Sequence, residues 1–173
     1  LNRTEIVFGP VIEGRFTDVP RIEGSVRLDD VDVALLRALV ADGRLSYQQL
    51  AGVVHLSATS TAERVRRLHR AGVVSGTHAE LDLAALGRRL RALSDLKLKD
   101  SVERATFERD LRDVPQVLRA SHTTGEYDYQ LVLACRDTGD LESVVDALRR
   151  IGVREIHSRI VLGEVAFDPT RLL

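Results

Sequence analysis

The stretch from Ser57 to Arg70 opens on hydroxyl side chains (Ser57, Thr59, Ser60, Thr61) and continues with arginines at positions 64, 66, 67 and 70. A guanidinium group is a planar fork of donors that meets a phosphate or a guanine edge with two parallel hydrogen bonds, which a lysine cannot do. The chain favours that group, because 23 of its 25 basic residues are arginine. Ser46 and Ser57 both stand where a helix N-cap is expected, so each helix start would offer free N–H groups and a positive dipole end to a phosphate. The chemistry these residues can do is polar recognition of an anion rather than bond making.

Three helices with short connections must position these groups. Asp29 or Asp30 can cap the first, whose apolar positions Val31, Leu35, Leu36, Leu39 and Val40 fit one face and which stops at Gly43. The second starts at Ser46, with Gln49 completing a capping box, and buries Leu50, Ala51, Val53 and Val54. The tight turn His55-Leu56 leads to a third helix from Ala58 to Ala71, which stops at Gly72. Ala62, Val65 and Leu68 share its inner face, leaving Thr59, Ser60, Glu63, Arg64, Arg66, Arg67 and Arg70 mostly on the others. Two short helices, a tight turn and arginines on the second spell helix-turn-helix, whose second helix fits the major groove of B-DNA. A three-helix piece of some other fold with a solvated arginine face fits the same pattern.

Charge is distributed to match. The chain carries a net −1, but residues 57–99 carry +5 between flanks of −2 and −4. Apolar residues at 44% and charged residues at 29% describe an ordinary globular protein of one domain or two small ones. No apolar run approaches the ~18 residues of a membrane span. Cys135 is the only cysteine, so a reducing, cytoplasmic setting is expected. The histidines at 55, 69, 78, 122 and 157 show no paired metal-ligand spacing. There is no nucleophile elbow, no phosphate-cradling glycine loop and no catalytic constellation. No enzyme activity, metal or cofactor is therefore expected.

The second half alternates strand and helix signals: strand Leu93–Leu98, helix Val102–Leu111 stopped by Val114-Pro115, strand Val117–Thr124, turn Gly125-Glu126, strand Tyr127–Cys135, helix Asp140–Arg150 ending at Gly152, and strand Val153–Val165. That order, βαββαβ, is the ferredoxin-like plan, which hosts many functions.

In order and spacing the chain resembles the Lrp/AsnC (feast/famine) family of transcriptional regulators over residues 28–165. The matching pieces are Leu28-Asp29-Asp30-Val31-Asp32, Asp42-Gly43-Arg44, Leu56-Ser57 through Glu63-Arg64-Val65-Arg66-Arg67-Leu68, Ala71-Gly72-Val73-Val74-Ser75-Gly76, Leu81-Asp82, Leu86-Gly87, Thr124-Gly125-Glu126-Tyr127-Asp128-Tyr129 and Ile160-Val161-Leu162. The resemblance implies an α+β protein: a (winged) helix-turn-helix domain over 28–76, a linker over 77–92, a ferredoxin-like βαββαβ sandwich over 93–166 and a tail over 167–173. It implies a sequence-specific regulator of double-stranded DNA, working as a homodimer or larger assembly and modulated by a small amino-acid-like effector. DNA contacts would fall on Ser57, Thr59, Ser60, Thr61, Arg64, Arg66 and Arg67, with Ser46, Tyr47 and Gln48 on phosphates. The effector would sit at Thr124, Gly125, Tyr127 and Asp128, facing Ser158 across a subunit interface. Asp128 would accept from an α-ammonium group and turn N–H groups would hold an α-carboxylate. The competing reading is an amino-acid-binding module whose helical domain docks protein partners and not DNA.

Several positions depart from the family pattern. His55 replaces a usual Gly in the turn, where φ is often positive, a conformation His tolerates better than β-branched residues do. Ala58 and Leu83 replace usual prolines, Arg159 a usual small hydroxyl, and Leu141–Gly152 reads as a shorter last helix after a longer Asp137–Asp140 loop. Within residues 1–27, Asn2–Val11 aligns with Ile156–Val165 at four identical positions. This predicts either the last strand of a preceding tandem copy or chance likeness. Ile12-Glu13-Gly14-Arg15 also fits a tag-cleavage remnant.

Overall fold

The computed structural model describes residues 26–165 and 167–173. The 2–11 likeness to the last strand falls outside them. The described residues divide into two compact units, 26–80 with 167–173, and 81–165. No helix among them is long and apolar enough to cross a membrane.

The first unit holds α1 (Asp30–Ala41), α2 (Tyr47–Val54) and α3 (Ala58–Arg70). Each begins on a side-chain cap, because the first N–H groups of a helix have no partner inside it. Asp29 caps α1: its Oδ1 accepts from the Asp32 N–H at 2.8 Å, while its own N–H donates to Asp32 Oδ2 at 3.2 Å. Ser46 and Gln49 form the same reciprocal box on α2, and Ser57 Oγ accepts from the Ser60 N–H at 3.1 Å on α3. Leu35, Leu50 and Val65, one from each helix, form the centre of the core. Val40 and Val53, expected inside, are 51% and 52% exposed. Each lies off the narrow stripe its helix turns inward, and short helices bury little more than that stripe.

Residues Pro169–Leu172 form a short 3-10 helix capped by Asp168 and packed against α1. Between α3 and the first strand no β-hairpin forms, so the expected wing is absent from the described residues.

The second unit is a four-stranded antiparallel sheet in the order β2-β3-β1-β4, with β1 Leu90–Leu98, β2 Val117–His122, β3 Tyr129–Cys135 and β4 Val153–Ile160. Helices α4 (Arg104–Leu111) and α5 (Thr138–Arg150) connect them. Both cover one sheet face: Phe107, Leu111, Val144 and Leu148 pack on Ala92, Leu96, Tyr129, Leu131, Leu133 and Cys135. The order βαββαβ is as expected, with shifted ends. β4 stops at Ile160 rather than Val165, since its partner β1 ends at Leu90 and only the Val161 N–H bond to the Arg91 carbonyl continues the ladder. The Asp137–Asp140 segment is not a long loop. Asp137 caps α5 by accepting from the Asp140 N–H at 2.8 Å, so the helix starts at Thr138 and runs 13 residues.

Candidate nucleic-acid interface and effector turn

The α2–turn–α3 geometry depends on His55. It is the only described non-glycine residue with positive φ, at φ 54° and ψ 40°. The left-handed residue ends α2 and lets the chain re-enter a helix at Ala58.

The outer side of this pair is polar. Tyr47, Gln48, Ser57, Thr59, Ser60, Arg66, Arg67 and Arg70 are exposed. The Arg66 guanidinium lies over the Tyr47 ring, 5.9 Å from its centroid, joining the start of α2 to the middle of α3. Glu63 meets Arg70 at 2.7 Å and Arg66 at 3.6 Å, which holds its carboxyl below the usual carboxylate range. Arg70 belongs to this face, though it was not among the expected contacts.

Three of the expected contacts are buried or paired within the unit, Arg67 while still exposed. Thr61 is fully buried, because it stands on the inner side of α3 beside Ala62 and Val65. Arg64 turns to α1, with Nη1 donating to Asp29 Oδ2 at 2.7 Å and to Asp32 Oδ1 at 3.0 Å. Arg67 Nη2 donates to Asp32 Oδ2. The Asp29 carboxyl is held below its ordinary range, first by the Asp32 N–H and then by Arg64, while the same pairs raise Arg64. Asp29 was legible, with Asp30 as the alternative, as the cap of α1, but nothing local in the sequence marks Asp29 or Asp32 as partners of arginines more than thirty positions away.

In the second unit, residues 123–128 form a closed turn. The Thr123 N–H donates to the Asp128 carbonyl at 2.9 Å, and Thr123 Oγ1 donates to the Tyr127 carbonyl at 2.9 Å. Gly125 has φ 113°, a conformation open to glycine alone. Thr124 and Gly125 are exposed at its tip. The Tyr127 ring packs at a tilt against His157, with ring centroids 5.3 Å apart. Asp128 is already engaged: its Oδ2 accepts from the Leu98 N–H at 2.8 Å, and its N–H donates to the Leu96 carbonyl at 2.8 Å. It therefore fastens the turn to β1 before it can serve a ligand. Ser158 pairs with buried Ser94, Oγ to Oγ at 2.8 Å. Within this chain the structure does not bring Ser158 to the turn. Arg159 and Gln130 both donate to Asp95 on the sheet face away from the helices. No group of metal-ligating side chains occurs among the described residues. Cys135 is buried, which pushes its thiol up to about 11.

A three-helix unit with a helix-turn-helix, followed by an α/β sandwich with one sheet face clear of its own helices, defines a two-unit class of DNA-binding regulators. The profile of the AsnC-type helix-turn-helix domain matches residues 28–69, and that of the Lrp/AsnC ligand binding domain matches residues 91–170. The Bkd operon transcriptional regulator of Pseudomonas aeruginosa is 38% identical over 142 residues, covering 80% of this chain and 93% of that one. Among solved structures, the feast or famine regulatory protein of M. tuberculosis complexed with L-methionine is 31% identical at a TM-score of 0.74. That match covers 83% of this chain and 97% of the other. A transcriptional regulator of Neisseria meningitidis, solved as an L-Met complex, is 28% identical at a TM-score of 0.76, covering 85% of this chain and all of the other. The chain belongs to the Lrp/AsnC family of transcriptional regulators. It is a DNA-binding regulator and not an enzyme.

Proposed function

We propose that the chain reads double-stranded DNA with α3 in the major groove, and that an amino acid bound near the Thr124–Asp128 turn changes its DNA affinity or assembly. The observation that carries the reading is the outer face of α2 and α3. There Tyr47, Gln48, Thr59, Ser60, Arg66 and Arg70 are exposed together, and the helix starts at Ser46 and Ser57 add N–H groups for phosphates. Thr61 is withdrawn from the interface by burial.

The effector reading draws on the L-methionine complexes of the two relatives and on the shape of the turn. Thr124 and Gly125 offer N–H groups for a carboxylate, Tyr127 offers an aromatic wall, and Asp128 holds the turn in shape. Ser158 would act only from a second copy. The sheet face away from α4 and α5 is where a second copy packs in this reading. Two copies set their recognition helices about one DNA turn (~34 Å) apart or a multiple of it. The regulator works where its DNA is, in the cytoplasm.

The test is fluorescence anisotropy with labelled DNA from upstream of the protein's own gene, across a salt series, with and without L-methionine or pooled amino acids. Salt-sensitive, sequence-selective binding that shifts with an amino acid is the expected outcome. A folded protein that binds no DNA at low salt defeats the reading.

A further inference from the structure

The arginines of α3 divide into two kinds. Asp32 is fully buried at the start of α1, and its two carboxylate oxygens are shared between two guanidinium groups of α3, Oδ1 with Arg64 and Oδ2 with Arg67. Asp29 takes Arg64 a second time. Two carboxylates thus face two guanidinium groups, and the quartet carries no net charge. Asp32 Oδ2 also accepts from the Asp29 N–H, so the carboxylate is fixed by the backbone that caps α1. Arg66 and Arg70 are different: their ion pairs are with Glu63, an exposed residue of the same helix.

Exchanging partners for a phosphate has opposite consequences in the two cases. Releasing Arg67 or Arg64 would strand part of a buried carboxylate, which is strongly unfavourable. Releasing Arg66 or Arg70 from an exposed glutamate forfeits little. We propose that Asp32 is a positioning residue for DNA recognition. It engages Arg64 and Arg67 to lock α3 against α1, and leaves the electrostatic contact with DNA to Arg66 and Arg70. The inference rests on the DNA-binding reading above and says which of the helix's cations take part.

The test measures binding of the full chain to a fluorescein-labelled, mixed-sequence duplex across a potassium chloride series, with thermal unfolding alongside. Arg66→Gln and Arg70→Gln should each flatten the slope of log K against log salt by about one unit, with little change in unfolding midpoint. Arg64→Gln and Arg67→Gln should lower the midpoint and leave the slope as it is. Asp32→Asn keeps the side chain's size but releases both arginines, so it should steepen the slope by about one to two units. Should Asp32→Asn fail to fold, the four arginine variants decide. Flattening by Arg67→Gln or Arg64→Gln, an unchanged slope in folded Asp32→Asn, or no flattening by Arg66→Gln and Arg70→Gln overturns the proposal. A wild-type chain with no salt-dependent binding overturns the DNA reading itself, a result visible before any variant is made.

Discussion

Thr61 buries a hydroxyl whose Oγ1 has no hydrogen-bond partner. An orphaned polar atom costs about 1–3 kcal/mol, so Thr61→Val, which keeps the branched shape, should raise stability by about 1 kcal/mol and leave DNA affinity unchanged. Urea denaturation and DNA anisotropy on the same preparation check both halves, and lost affinity would return Thr61 to the interface. His55 presents the opposite problem. Its backbone is strained, because a Cβ crowds the left-handed region, at about 1–2 kcal/mol. Replacing it with glycine removes the strain and adds chain entropy to the unfolded state. His55→Gly should therefore be neutral or stabilising by up to about 1 kcal/mol, and His55→Val clearly destabilising. The expectation of positive φ at this position came from the glycine that the family pattern usually has there, and the structure has it at 54°.

Among the elements, α3 and α5 both depend on their first turn. Ser57 caps α3 through the Ser60 N–H, and Ser57→Ala should cost about 1 kcal/mol. Because the same turn presents Thr59 and Ser60, DNA affinity should fall with it, whereas a distant destabilising change of equal size should leave affinity alone. At the start of α5, Asp140 is buried. It accepts from the Arg136 N–H and from Gln116 Nε2, both at 2.8 Å. These bonds hold the carboxyl down at about 2. Asp140→Ala leaves those donors without an acceptor and should cost on the order of 2 kcal/mol, measured by chemical denaturation. Set against the family pattern, the Asp137–Asp140 stretch reads as a long loop. Its helical start is set by the Asp137 cap and the Gln116 contact, and the second of these comes from a distant part of the chain.

The molecule as a whole should be acid-sensitive in two ways. Asp29, Glu63 and Asp168 in the first unit, and Asp140 in the second, all have carboxyls held below their ordinary values. A depressed folded-state value means stability that is fully present above the unfolded value and is lost as pH falls through the folded one. Unfolding free energy should therefore be flat above about pH 5 and fall below about pH 4. The contribution of exposed Asp29, Glu63 and Asp168 should shrink in high salt, while that of buried Asp140 persists. Urea titrations at several pH values, in low and high salt, would show this; a loss of stability beginning near neutrality would contradict it. The sequence by itself determined the two-unit order, the serine caps of α2 and α3, the strand and helix succession and the exposed hydroxyl and arginine face. Local propensity, capping chemistry and period are written in neighbouring residues. Only the tertiary structure decided that Arg64 and Arg67 close on Asp29 and Asp32, that Asp128 fastens its turn to β1, and that Ser158 pairs with Ser94. Each of these is a contact between segments far apart in the chain. Side-chain type announces that a partner is needed, but packing alone selects which one.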